Sequence, residues 1–176
     1  MDQTQLRELL RNIKEGSVDV DAAMERMKSL PFEDLGFAKV DHHRALRHGM
    51  PEVIFGKGKT PDQVASIAAA LLARESNVLI TRASPEAAER IRADHADARY
   101  YPNSSTIRIQ RDTTIFGKGK IAVLCAGTSD LPVAQEAQVT AEIMGNEVDA
   151  IHDIGVAGIH RLMHHIDRIR SARVVI

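Results

Sequence analysis

A chain of 176 residues with 44% hydrophobic and 27% charged residues has the composition of an ordinary globular protein, with room for one or two small domains. A formal charge of −1, no tryptophan and 3% aromatics argue against nucleic-acid coating and base stacking, and no stretch nears the roughly 18 apolar residues of a membrane span. The charged opening MDQTQLRELL lacks the apolar core of a secretion signal, and one cysteine excludes an intrachain disulfide framework, so a reducing, cytoplasmic setting is expected.

In TQLRELLRNIKEG, Leu6, Leu9, Leu10 and Ile13 recur at helical spacing, with Gly16 as the stop. VDAAMERMKSL gives a second short helix ending before Pro31, and the two are expected to form a helical hairpin of packing or oligomer type. GFAKVD (36–41) and PEVIFG (51–56) read as short strands. Thr60, Pro61 and Asp62 then open a helix through QVASIAAALLARE, with Thr60 as N-cap and Pro61 in the first turn. NVLITRA (77–83) is a strand of buried type, and Ser84-Pro85 repeats the cap-and-proline device before EAAERIRADHA. Strand, helix, strand, helix in that order predicts a small α/β unit. RYYPNSSTIRIQ reads as a hairpin turning at PNSS. IFGKGK occurs at 54–59 and again at 115–120, but the flanks differ and neither copy has the GxxxxGK[ST] spacing of a P-loop. The second copy is read as an interdomain joint near residue 118.

Beyond it, IAVLCA is a strand and SDLPVAQEAQVTAEIMG a helix closed by Gly145. NEVDAIHDI is the next strand, and GVAGIHRLMHHIDRIRSA is a helix with Ile159, Leu162, Met163, Ile166 and Ile169 on one face. RVVI begins another strand. The expected fold class is α/β: a small N-terminal α/β domain over 1–118, then the first part of a doubly wound parallel-sheet domain over 119–176. Parallel sheets are covered on both faces and usually have more strands, so the second domain reads as incomplete at residue 176.

Gly127, Thr128, Ser129 and Asp130 lie where a strand gives way to a helix. Open α/β sheets bind ligands at that edge, glycine lets backbone approach them, and a helix N-terminus favours phosphate. Asp130 would repel phosphate unless it meets a ribose hydroxyl or another donor. The competing reading is that Ser129 or Asp130 merely caps the helix. Asp153, Gly155, His160 and Arg161 follow the next strand at the same sheet edge. They offer an acid for a ribose hydroxyl, a close-approach glycine, a proton donor and a phosphate-binding guanidinium. A turn at Asp153 and a solvated helix face at His160 and Arg161 would explain them equally. GxGxxG is absent, so a dinucleotide redox fold is not supported. His160 and His164 have zinc-compatible spacing, but no HExxH motif or second cysteine accompanies them. The densest polar block is DHHRALRHGMPE, followed by Lys57 and Lys59. In it Arg44 and Arg47 are candidates for binding an anionic substrate, or form an exposed helix and turn. Cys125 lies within a strand and reads as a buried structural thiol.

Together AGTSDLPVAQEA, DIGVAGIHRL, DHHRALRHGMPEVIFGKGKTPDQ and LITRA resemble the LarB family. These are pyridinium-3,5-biscarboxylic acid mononucleotide synthases of nickel-pincer cofactor biosynthesis, with a C-terminal domain similar to the PurE-type aminoimidazole-ribonucleotide (AIR) carboxylases. The resemblance implies a carboxylase and hydrolase acting on nicotinic acid adenine dinucleotide. CO2 would be added at C5 of the pyridinium ring and the phosphoanhydride cleaved to release AMP, with Mg2+ assisting and a homo-octamer as the assembly. It implies that Ser129 and Asp130 match the carboxylases' Ser-Asp nucleotide loop and that His160-Arg161 resembles their His-Arg pair at a shifted spacing. It also implies that the family's ring-attacking cysteine lies beyond residue 176. Cys125 does not match that position, so the 176-residue chain alone is expected to be inactive and poorly behaved. Two other readings stay open: an AIR carboxylase or NCAIR mutase of purine biosynthesis, against which the N-terminal block speaks, and a non-catalytic nucleotide-binding module.

Overall fold

The computed structural model describes residues 3–28, 32–42, 44, 50–74 and 77–176. Helices α1 (Gln3–Lys14) and α2 (Val20–Lys28) form the expected hairpin. Asp19 caps α2 by accepting the N–H groups of Asp21 and Ala22. The strand expected over 36–41 forms at its second half, as β2 (Lys39–Asp41), and pairs antiparallel with an unanticipated strand before it, β1 (Phe32–Asp34). Gly36 makes the difference: at φ 81° it bends the chain, and Leu35 N–H donates to the Ala38 carbonyl to close the turn.

The first large sheet has the order β3 (Val53–Phe55), β4 (Asn77–Thr81), β6 (Thr106–Gln110), β5 (Arg99–Tyr101). Strand β4 runs parallel to β3 and antiparallel to β6, and the hairpin of β5 and β6 turns at the expected PNSS. Helix α3 (Pro61–Leu72) follows β3, and α4 (Pro85–Asp94) follows β4. Both begin as their sequences dictate. Thr60 Oγ1 accepts the Gln63 N–H at 3.3 Å while Gln63 Oε1 accepts the Thr60 N–H at 2.9 Å, and Ser84 Oγ accepts the Ala87 N–H. Thr60→Ala is expected to cost about 1 kcal/mol of stability in urea unfolding, with Thr60→Ser close to wild type.

Alternation along β4 decides what covers the sheet. Val78 and Ile80 join Ile54, Ile107 and Ile109 against Val64, Ile67, Leu71 and Ile91 of α3 and α4. Leu79 points the other way and meets Val139 and Ile143 of α5 (Leu131–Ile143), flanked by Val53 and Tyr101. Thus a helix that lies beyond residue 118 covers the second face of the first sheet. Gly56 packs against the end of β4: its N–H donates to the Thr81 carbonyl at 2.7 Å, and a Cβ there would stand 3.0 Å from the Arg82 carbonyl.

The second sheet is parallel, in the order β8 (Val148–Ile151), β7 (Ile121–Leu124), β9 (Val174–Val175). A central first strand with neighbours added on either side is the doubly wound arrangement expected. Val148 packs with Leu131, Ala134 and Ala137 of α5, whereas its neighbour Asp149 lies on the opposite face. Both Asp149 oxygens are held there by Arg168 of α7 (Ile166–Ser171), which keeps the carboxyl below its ordinary range.

The single helix expected over 155–172 is broken. A short 3-10 turn at Val156–Gly158 leads into α6 (Ile159–His164), and the chain leaves helical geometry at His165 before α7. Its anticipated apolar face is only partly used, because Ile159 and Met163 are exposed. The clamp of Arg168 on Asp149 fixes α7 against β8, and α6 departs from that line.

Candidate functional site

Beyond β7 the chain continues through Cys125 and Ala126 into Gly127, which is extended, and then a 3-10 turn at Thr128–Asp130 leads directly into α5. Pro132 in the first turn suits that entry, since its missing N–H has no helical partner to lose. Among the described residues no side chain caps α5. Instead Asp130 reaches backward: its Oδ2 accepts the Gly127 N–H at 2.9 Å, and its own N–H donates to the Gly127 carbonyl at 3.1 Å. The capping alternative for Ser129 and Asp130 is therefore replaced by a loop that Asp130 closes on itself. Among the described residues, Thr128 and Ser129 N–H and the Ser129 hydroxyl have no protein acceptor.

An open cleft of about 340 Å³ begins at this loop. Its walls are Val123 and Leu124 from β7, Cys125 and Ala126 just beyond it, Val133, Ala134 and Ala137 from α5, and Ile176, with Ser129 and Asp130 at the polar end. It lies between the carboxyl ends of β7 and β9, where the strand order reverses. Doubly wound sheets bind ligands at that switch point. Asp130, Val133, Ala134 and Ala137 are spaced to share one helix face, a signal that sequence reading left unused. Cys125 is a free, buried thiol, as expected, but it also forms part of the cleft wall.

The second anticipated loop adjoins the first without entering the cleft. Ile154 N–H donates to the Cys125 carbonyl and Gly155 N–H to the Ala126 carbonyl, at 3.2 and 3.0 Å. A Cβ on Gly155 would stand 3.0 Å from that Ala126 oxygen, so a larger residue would push the two loops apart by a few tenths of an ångström. Asp153 sits at φ 57°, and its Oδ2 is 2.5 Å from Arg161 Nη1. Asp153, Gly155, His160 and Arg161 are thus beside the loop but not among the residues that line the cleft, and the acid and guanidinium neutralise each other. His160 is exposed. His164 packs edge-on against His165 at 4.9 Å, and among the described residues no group of three or more His, Cys, Asp or Glu side chains is placed to hold a metal.

The N-terminal polar block divides. Arg44 is exposed, and Arg47 lies outside the described residues. His42 is buried, with Nε2 3.0 Å from Glu33 Oε2, and Glu52 Oε2 accepts the Asp41 N–H at 2.6 Å. Burial raises the Glu52 carboxyl above its ordinary range, opposed by that hydrogen bond and by the nearby Arg44 charge. Lys59 Nζ donates to the Phe55 carbonyl, so its charge is tied to its own loop. Three contacts made by α5 on its other face have no local signal in the sequence: Gln135 with Ser104, Glu136 with Arg82, and Glu142 with Arg108.

Comparison with known proteins agrees with this architecture. Residues 32–111 match the LarB/PurE-like N-terminal domain. An uncharacterized protein of Methanocaldococcus jannaschii is 34% identical over 171 residues, which span 93% of this chain and 67% of that protein. Among the described residues no helix is long and apolar enough to cross a membrane. With the N-terminal domain matched and a doubly wound unit carrying a Ser-Asp loop behind it, the chain belongs to the LarB family, a LarB/PurE-like family of carboxylase type.

Proposed function

We propose that this chain supplies the nucleotide-binding loop for carboxylation of the pyridinium ring of nicotinic acid adenine dinucleotide, in nickel-pincer cofactor biosynthesis. The observation that carries the reading is the position of Ser129 and Asp130 at the polar mouth of an otherwise apolar cleft, at the switch point of a parallel sheet. The ring suits the apolar walls, the unpaired N–H groups of Thr128 and Ser129 suit phosphate, and the free oxygen of Asp130 suits a ribose hydroxyl. In the reaction a carbon–carbon bond forms between CO2 and C5, the C5 proton leaves, and water enters at the phosphoanhydride to release AMP. Cys125 is assigned no catalytic part. The two carboxylates nearest the loop are already engaged, Asp130 by Gly127 and Asp153 by Arg161, and form no cage for Mg2+. Mg2+ would come to the site with the substrate, since the ion often binds mainly through substrate phosphates. Exposed Val156, Ile159 and Met163 suit contact between copies of the chain, in keeping with a homo-oligomer.

The test supplies the protein with nicotinic acid adenine dinucleotide, isotopically labelled bicarbonate and magnesium, and weighs the products. Labelled carboxylate on the pyridinium product together with AMP is the expected result. Carboxylation of AIR instead would move the protein to purine chemistry, and saturable dinucleotide binding without turnover would leave a binding module.

A further inference from the structure

Two non-glycine residues at one tip of the first sheet adopt left-handed backbone: Arg82 and Ser105, each with φ 53°. Their turns are tied together, because Ala83 N–H donates to the Ser105 carbonyl at 2.7 Å. Such conformations persist only where the surroundings over-determine them, and they mark places where geometry matters. Here the surroundings include α5. Arg82 Nε stands 3.1 Å from Glu136 Oε2, and the buried Ser104 donates its N–H to Gln135 Oε1 at 3.2 Å. Gln135 and Glu136 follow Asp130 within two helical turns. They lie on the side of α5 away from the cleft, since Asp130, Val133, Ala134 and Ala137 face it.

We propose that the joined tips 82–83 and 104–105 form a seat that positions the nucleotide loop, with Arg82, Ser104, Gln135 and Glu136 as positioning residues. The inference rests on reading residues 127–130 as the nucleotide loop. Among the described residues that loop is closed by its own Asp130–Gly127 bonds; it is held on one side where Gly155 N–H meets the Ala126 carbonyl, and on the other it runs into the start of α5. Any rotation or sliding of α5 on the first sheet would move Ser129 and Asp130 with it. The seat grips α5 close to the loop, so it holds the loop's donors and acceptor in place before a ligand arrives. Preorganisation of this kind lowers the ordering cost of binding. It also gives the N-terminal unit a task in the chemistry without a residue of its own in the cleft.

The experiment follows amide hydrogen exchange of residues 126–131 in the ligand-free full chain, alongside titration with nicotinic acid adenine dinucleotide. In Gln135→Ala and in Arg82→Glu, loop exchange is expected to rise about tenfold while protection in β4, β6 and β7 holds. Adding Glu136→Arg to Arg82→Glu is expected to restore slow exchange, which a general loss of stability would not permit. Unchanged loop exchange in the folded variants, a uniform rise across all three strands, or no rescue by the reversed pair would overturn the proposal. If exchange behaves as expected but the dinucleotide binds no variant and not the wild type either, the seat stands and the functional reading falls.

Discussion

Asp130→Ala is expected to weaken binding of nicotinic acid adenine dinucleotide by about tenfold to a hundredfold, the range for losing a specific hydrogen bond and its local order. Two losses combine. Oδ2 no longer holds the Gly127 N–H, so the turn that presents Thr128 and Ser129 loosens. The second carboxylate oxygen, assigned to a ribose hydroxyl, disappears with it. Asp130→Asn separates the two contributions, since its amide oxygen still closes the loop but its charge is gone. Calorimetric titration of both variants makes the comparison. Wild-type affinity in Asp130→Ala would remove this carboxylate from the site and leave it a structural clasp.

Local chemistry made much of this fold readable. Thr60 and Ser84 act on amides within three residues, so their helix starts needed no knowledge of the rest of the chain. The strand–loop–helix pattern at Gly127 to Asp130 was legible for the same reason. What stayed hidden was which surfaces meet. Apolar residues occur nearly all round α5, from Leu131 and Ala134 to Val139 and Ile143, and periodicity cannot show that one side serves β7 and the other β4. The stripe from Ile159 to Ile169 promised one continuous buried face. It is interrupted at His165, whose backbone leaves helical geometry, and in α7 the contact with β8 is an ion pair between elements, Arg168 with Asp149, that periodicity cannot show. At the site, the sequence offers Asp153 and Arg161 as two ligand-facing groups, and composition is the same when the two bind each other. Arg82 stands within LITRA, but nothing in that motif assigns it a role; its importance comes from its backbone angle and from a partner far along the chain.

Leu79→Ala and Ile80→Ala are each expected to cost about 2–5 kcal/mol, and to do so in different places. The two residues are adjacent on β4, and only 2% and 0% of their surfaces are exposed. Ile80 lies in the large core beneath α3 and α4, among fully buried neighbours that have little room to close a cavity. Its loss belongs toward the upper end of the range. Leu79 faces α5 in a smaller cluster whose rim, Val53, Tyr101 and Met144, is only partly buried and has more freedom to collapse inward. Its loss belongs toward the lower end. The functional consequences reverse that order. Ile80→Ala loosens α3 and α4 but leaves α5 in place, so well below the melting temperature it should retain ligand affinity. Leu79→Ala frees the helix that carries Asp130, so binding should weaken although residue 79 is not among those lining the cleft. Urea unfolding gives the two costs, and hydrogen exchange locates them: faster exchange in α3 and α4 for one variant, in α5 for the other. Equal loss of protection across all three helices in both variants would mean that the two faces of the sheet open as one cooperative unit, and that α5 has no separate hold on it.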